Sequence, residues 1–102
     1  MGRPVHGDRM TIVVLELEPG AEVPEHSHEN EQLGVLIEGS MSFTVGDEHD
    51  EVRPGSFWRI LANVPHSVVA GPDGAVAVEV FAPVRSEWAA LPPAEPGPGR
   101  WP

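Results

Sequence analysis

The chain has 102 residues, a length that suits one domain, and its formal net charge is −10. It contains no cysteine, lysine or tyrosine, which excludes disulfides, thiolate metal sites and Schiff-base chemistry. A surface this acidic repels phosphate backbones and anionic lipid, so we expect no nucleic-acid or membrane partner. The sequence contains no long apolar run and no basic start followed by an apolar stretch, so we expect a cytoplasmic protein.

The predicted elements are short strands separated by Gly, Pro, Asn and Asp turns. In chain order they cover residues 10–18, 22–28, 32–38, 41–45, 49–53, 57–61, 66–70 and 75–81. Many short strands at regular spacing are typical of a sandwich or barrel, and no segment of this region has sustained helical periodicity. Residues 86–91 could form one helical turn. From residue 92 onward the chain is rich in Pro and Gly, so we predict a barrel domain over 1–91 and a tail over 92–102.

A His-Ser-His sequence at residues 26–28 is the sharpest local feature. In a strand, residues i and i+2 point to the same face, roughly 6.5–7 Å apart, so two imidazoles at this spacing can converge on one ion. Gln32 follows after a bend, and His66 comes from a distant strand, so folding would have to assemble the four side chains. An isolated His-x-His pair is more often a surface feature than a pair of ligands.

The surroundings of this pair resemble the two motifs of the cupin superfamily. Residues 20–39 read G-x5-H-x-H-x3-Q-x6-G, similar to the first motif, and a Pro-Gly turn at 54–55 followed by Pro-His at 65–66 is similar to the second. The resemblance covers residues 10–88 and implies a double-stranded β-helix, the cupin jelly-roll barrel, with one divalent metal ion per chain. The ligands that it implies are His26, His28, Gln32 and His66.

Gln32 stands where the usual motif has glutamate. An amide oxygen can ligate without contributing charge, so the ion would keep its full 2+ charge and act as a stronger Lewis acid. Two alternatives are a three-histidine site with water in the open positions, and ligation by Glu29 or Glu31. The ion would be zinc, nickel, iron, manganese, cobalt or copper, which these ligands do not distinguish.

Glu79 interrupts an apolar strand, and alternation places it either inside the barrel or on the outer face. On the inner face a carboxylate needs a partner and becomes a candidate general acid or base. Residues 79–88 (EVFAPVRSEW) resemble the C-terminal strand of small pectin-degradation cupins, which linearise unsaturated uronates and also use glutamine as the fourth ligand. That resemblance implies Glu79 as a proton carrier, Phe81 as a pocket wall and Arg85 as a carboxylate anchor.

This chain departs from that group in two ways, because its acid is Glu rather than Asp and its gap between His28 and Gln32 is one residue shorter. An alternative role for the segment is to close the barrel. Further candidates for the wall of a substrate pocket are Leu36, Met41, Phe43 and Arg59, with core or surface as the alternative for each. Phe57 and Trp58 are interpreted as core or interface residues.

The expected function is that of a metal-dependent small-molecule enzyme, a non-redox lyase, isomerase or cyclase acting on an oxygen-rich substrate such as a sugar acid or a diketone. One alternative is a metal-dependent dioxygenase built on the same histidines. Another is a non-catalytic module that binds or senses a small ligand. Similarity to small cupins also implies a homodimer, with residues 1–12 as a segment that packs across the partner.

Overall fold

The computed structural model describes residues 2–84, and within them every regular element is a strand. The strands are β1 (Gly2–His6), β2 (Thr11–Leu17), β3 (Glu22–His26), β4 (Glu31–Val45), β5 (Glu48–Val52), β6 (Phe57–Ile60) and β7 (His66–Ala82). This part of the chain contains no helix that could span a membrane. Arg85, the predicted turn at 86–91 and the predicted tail at 92–102 lie outside the described residues, so the boundary at residue 91 stays a prediction.

The strands pair antiparallel in the order β1-β2-β7-β4-β5, with β3 added on β7 and β6 added on β4. The long strands β4 and β7 pair with each other along most of their length. At the N-terminal half of β4, the β4–β7 pair is flanked by β6 on the β4 side and by β2 on the β7 side. At the C-terminal half of β4, it is flanked by β5 on the β4 side and by β3 on the β7 side. The sheet is the predicted jelly roll, and the all-β fold class is confirmed.

Two predicted strand breaks are wrong, because β4 continues through Gly39 and β7 continues through residues 71–74. The β4–β7 register shifts between Leu36 and Glu38 and between Gly39 and Met41, so the chain bends while staying in the sheet. Gly39 has φ of 81°, and a Cβ there would lie 2.0 Å from the carbonyl oxygen of Gly74. The glycine marks a bulge in one strand, not the end of a strand.

The N-terminal strand β1 was not predicted. Residues 2–6 pair with residues 11–15 of β2 in the same chain, which places β1 at the edge of the sheet. The exchange of residues 1–12 with a partner chain stays a prediction.

Alternation along the strands directs one set of side chains into the interior. Leu36, Met41, Ile60, Phe81 and Val13 are each at most 2% exposed. Burying a side chain of this size contributes about 1.5–3 kcal/mol to the stability of the fold, because apolar surface is removed from water. This packing supports the segments of β4 and β7 that carry the buried polar side chains Gln32 and Glu79.

Candidate functional site

Three histidines come together where β3 and β7 pair. His26 is the last residue of β3 and lies opposite His66, the first residue of β7, while His28 follows two residues after β3. Their ring centroids are 4.3 Å apart for His26 and His66, 5.0 Å for His28 and His66, and 5.6 Å for His26 and His28. One nitrogen from each ring lies within 4.8 Å of the other two, so the three could hold a metal ion.

Backbone carbonyls orient each of the three rings. The Nδ1 atoms of His26, His28 and His66 lie 2.9, 3.0 and 2.9 Å from the carbonyl oxygens of Pro24, Asn30 and Val64. A carbonyl oxygen can only accept a hydrogen bond, so Nδ1 carries the proton in each ring and Nε2 keeps its lone pair. Metal-binding histidines are oriented by second partners of this kind, and the tautomers therefore fit a divalent cation.

Beside the histidines, the buried side chains of Gln32 and Glu79 contact each other. Each is 5% exposed, and Gln32 Nε2 donates a hydrogen bond to Glu79 Oε2. The indole Nε1 of Trp58 donates to the same oxygen, at 3.0 Å. Of the two positions that alternation left open for Glu79, the structure shows the inner one, and the carboxylate has the hydrogen-bond partners that a buried charge requires.

A cavity of about 460 Å³ adjoins these groups. His26, His66, Gln32 and Glu79 line it on the polar side. The predicted wall residues Met41, Phe43 and Phe81 line its apolar side, and the Phe81 ring meets the His28 ring edge-on at a centroid distance of 5.7 Å. The volume lies in the range of small-molecule sites, and a few polar groups against an apolar wall are typical of them.

Two residues predicted for the pocket wall do not line this cavity. Leu36 is 1% exposed and packs in the hydrophobic core with Ile60 and Ala77. Arg59 pairs with Leu33, which faces outward, so strand alternation places the arginine side chain on the outer face, where it is exposed. Arg85 lies outside the described residues, and its role as a carboxylate anchor stays a prediction.

Trp58 is a site residue that the sequence reasoning missed. In the strand pairing it lies opposite Gly34, which in turn lies opposite Glu79. A Cβ on Gly34 would lie 2.3 Å from both Cε2 and Nε1 of the indole, so the ring crosses the strand where β4 has no side chain. A glycine inside an apolar strand marks the close approach of another group, and this was the signal in the sequence.

Comparison with known proteins shows that the chain belongs to the cupin family. The cupin domain family model matches residues 13–81. Oxalate decarboxylase OxdC of Bacillus subtilis (strain 168) is 32% identical over 79 residues, which are 72% of this chain and 20% of that protein, so the chain spans about one fifth of its length. Pectin degradation protein KdgF of Dickeya dadantii (strain 3937) is 24% identical over 82 residues, 79% of this chain and 74% of that protein. The structure of KdgF from Halomonas sp. matches with a TM-score of 0.77 at 23% identity, covering 81% of this chain and 76% of that one.

Proposed function

The chain belongs to the cupin family, and we propose that it is a metal-dependent enzyme acting on a small, oxygen-rich molecule. The proposed reaction is a non-redox lyase, isomerase or cyclase step. The observation that carries the proposal is that His26 and His66 line the same cavity as the carboxylate Glu79. A Lewis acid and a proton carrier that face one space are the two components that such reactions need.

His26, His28 and His66 would hold one divalent transition-metal ion through Nε2, with the amide oxygen of Gln32 as the fourth ligand. When bound, the ion would polarise a substrate oxygen and stabilise the negative charge that develops on it. The three backbone acceptors behind the rings keep the histidines in the metal-binding tautomer.

Glu79 is the group we assign to proton transfer. It accepts hydrogen bonds from Gln32 and Trp58, as an ionised carboxylate does. From the cavity wall it can take a proton from the carbon next to a polarised carbonyl and return it elsewhere on the substrate. Phe81 closes the apolar side beside His28, and Arg85 would bind a substrate carboxylate. The likeness to a pectin degradation protein supports a sugar acid as one substrate class.

The first test is elemental analysis of protein purified without chelator, followed by a screen of unsaturated uronates and 1,3-diketones with and without O2. We expect about one ion per chain, loss of the ion in the double variant His26→Ala/His66→Ala, and turnover that does not consume O2. Wild-type protein that neither carries an ion nor takes one up would overturn the metal site. O2-dependent turnover with iron would instead support a dioxygenase, and tight ligand binding without product would support a binding module.

The second test concerns Glu79. Glu79→Gln keeps an oxygen that accepts both hydrogen bonds, so at saturating metal we expect the ion to stay while turnover falls by about 10²-fold or more. The matched control is Glu48→Gln, which removes an exposed carboxylate on β5. Turnover that is equal in the two variants would reject the proton-transfer role.

We also propose that two copies pair through the outer face of the sheet that includes β1, β2, β7, β4 and β6. Two rows of outward side chains cross this face, Val5-Ile12-Val80-Leu33-Arg59 and Arg3-Val14-Val78-Val35-Phe57. Ile12, Leu33 and Phe57 are 45%, 46% and 82% exposed. Neither row contains a carboxylate, although the chain has 16 of them. Each row has one arginine, at its end, and Arg3 is ion-paired with Glu16. The apolar middle of this face can therefore meet a second copy with little repulsion between like charges.

Sedimentation tests the proposed dimer. Wild type should sediment as a dimer and Leu33→Glu as a monomer, because the substitution places two like charges in the paired face. Val69→Glu is the matched control, since Val69 is 43% exposed on β7 in the part of the sheet that pairs with β3. A monomeric wild type, or equal dissociation in both variants, would reject this interface.

A further inference from the structure

Trp58 connects to the proposed metal site through the carboxylate of Glu79. Its indole Nε1 donates to Glu79 Oε2, and the same oxygen accepts from Gln32 Nε2. We propose that Trp58, given room by Gly34, is a positioning residue that holds the Glu79 carboxylate so that Gln32 presents its amide oxygen, and not its nitrogen, to the ion. This inference rests on the proposed function, because it needs Gln32 to be the fourth ligand.

The orientation of the Gln32 amide follows from the chemistry of its partner. A carboxylate only accepts hydrogen bonds, so Glu79 binds the NH2 end of the amide. An amide nitrogen has no lone pair to give to a metal, whereas the amide oxygen has two. Glu79 therefore selects the end of Gln32 that can ligate.

The indole of Trp58, which donates to Glu79, has little conformational freedom. The indole N–H is a donor only, and it is carried on a rigid ring whose position is set by packing. The ring lies over Gly34 on one strand and contacts the ring of Phe43 at a centroid distance of 4.9 Å. Because two donors meet at Oε2, the carboxylate is anchored from two directions, and a shift of the indole would also move the acceptor of Gln32.

Gly34 provides the space that the Trp58 indole occupies. By strand alternation it lies on the inner face of β4, between Gln32 and Leu36, whose side chains are both buried. A methyl group there would collide with Cε2, Nε1 and Cζ2 of the indole, at 2.3, 2.3 and 2.5 Å. Gly34→Ala therefore displaces the indole without removing any hydrogen-bond donor or acceptor, whereas Trp58→Phe removes the N–H and keeps an aromatic ring.

The experiment uses Co2+ as the probe and measures its dissociation constant by chelator competition, together with its d–d absorption spectrum. Gln32→Ala provides the reference spectrum for the lost ligand. We expect Trp58→Phe and Gly34→Ala each to weaken Co2+ binding by about tenfold, the lower end of the range for outer partners of ligands. Both spectra should shift toward that of Gln32→Ala. The matched control is Val52→Ala, which truncates a residue of the core cluster that Trp58 packs against. It should leave the Co2+ dissociation constant and the spectrum unchanged.

NMR spectra of metal-free protein give a second measurement beside Co2+ binding. The indole N–H signal of Trp58, assigned by its absence in Trp58→Phe, and the side-chain NH2 signals of Gln32 are recorded in chelator-treated protein. Trp58→Phe and Gly34→Ala should both move the Gln32 signals, and Val52→Ala should not. The effect of Gly34→Ala should also be smaller in the Trp58→Phe background, because the smaller ring relieves the collision.

The two proposals fail in different ways. Wild-type protein that does not bind Co2+ overturns the proposed function, while the NMR signals still test the contact between Trp58, Glu79 and Gln32. Wild-type protein that binds Co2+, with Trp58→Phe and Gly34→Ala indistinguishable from Val52→Ala in constant, spectrum and NMR signals, overturns the positioning role alone.

Discussion

Gln32→Glu is the most informative single change, because it restores the residue of the usual cupin motif in a site that is built around the amide. In the structure the amide nitrogen of Gln32 donates to a carboxylate oxygen of Glu79, and both side chains are buried. The substitution removes that donor and sets a second carboxylate against the first. We expect the metal-free protein to be destabilised.

The size of the effect has an upper limit. Two unit charges about 3 Å apart repel by about 5–6 kcal/mol at an effective dielectric constant of about 20. One of the two carboxyls escapes this by taking up a proton, which near pH 7 costs about 3.7 kcal/mol for a carboxyl of ordinary pKa, about 4.3. Loss of a hydrogen bond to a charged group alone costs about 1.5–3 kcal/mol. The expected destabilisation is therefore about 2–4 kcal/mol.

Urea unfolding of chelator-treated protein measures this difference. The matched control is the double variant Gln32→Glu/Glu79→Gln, which exchanges the two groups and restores one donor and one acceptor. It should return to within about 1 kcal/mol of wild type, since the like charges are gone. If Gln32→Glu alone is as stable as wild type, or if the exchanged pair is no more stable than Gln32→Glu, then residues 32 and 79 are not joined by a hydrogen bond from an amide donor to a carboxylate.

Three further predictions follow from placement in the sheet, and urea unfolding with metal titration checks each. Leu36→Ala should cost about 2–5 kcal/mol of stability by leaving a cavity in the core, with metal affinity kept. Gly39→Ala should cost at least about 1–3 kcal/mol of stability, because residue 39 has a positive φ and its new Cβ would collide with the carbonyl oxygen of Gly74. Arg59→Ala should change stability by no more than about 0.5 kcal/mol and leave metal binding intact, and a large loss of affinity would contradict its outward placement.

The clustering of the three histidines could be predicted from the sequence because it depends on short-range geometry and a shared spacing. Alternation in a strand puts residues 26 and 28 on one face, and the cupin motifs supply the late histidine. The inner position of Glu79 could not be predicted, because alternation divides a strand into two faces without saying which one is buried. Only the register of β7 against β2, where Glu79 lies opposite the buried Val13, decides it.

Trp58 was missed for a related reason. Its contact with Glu79 requires that β6 pair with β4 so that Trp58 lies opposite Gly34, and this register is set by tertiary pairing, not by any local pattern. The false breaks in β4 and β7 have a local cause. Glycine with a positive φ occurs both in turns that end strands and in bulges that bend them, so the same signal at Gly39 and Gly74 permits both structures.

The pair Gln32 and Glu79 relocates a negative charge. In the usual motif a glutamate ligand would reduce the charge of a bound 2+ ion and its ligands to +1. Here the ligands would be neutral, and the compensating carboxylate is Glu79, hydrogen-bonded to the amide of Gln32. The sum over the site is the same, but a carboxylate that is not a ligand can exchange protons with a substrate, which a coordinated one does poorly. Positions 32 and 79 are therefore best understood as one unit, in which an amide at the first position would allow the proposed base at the second.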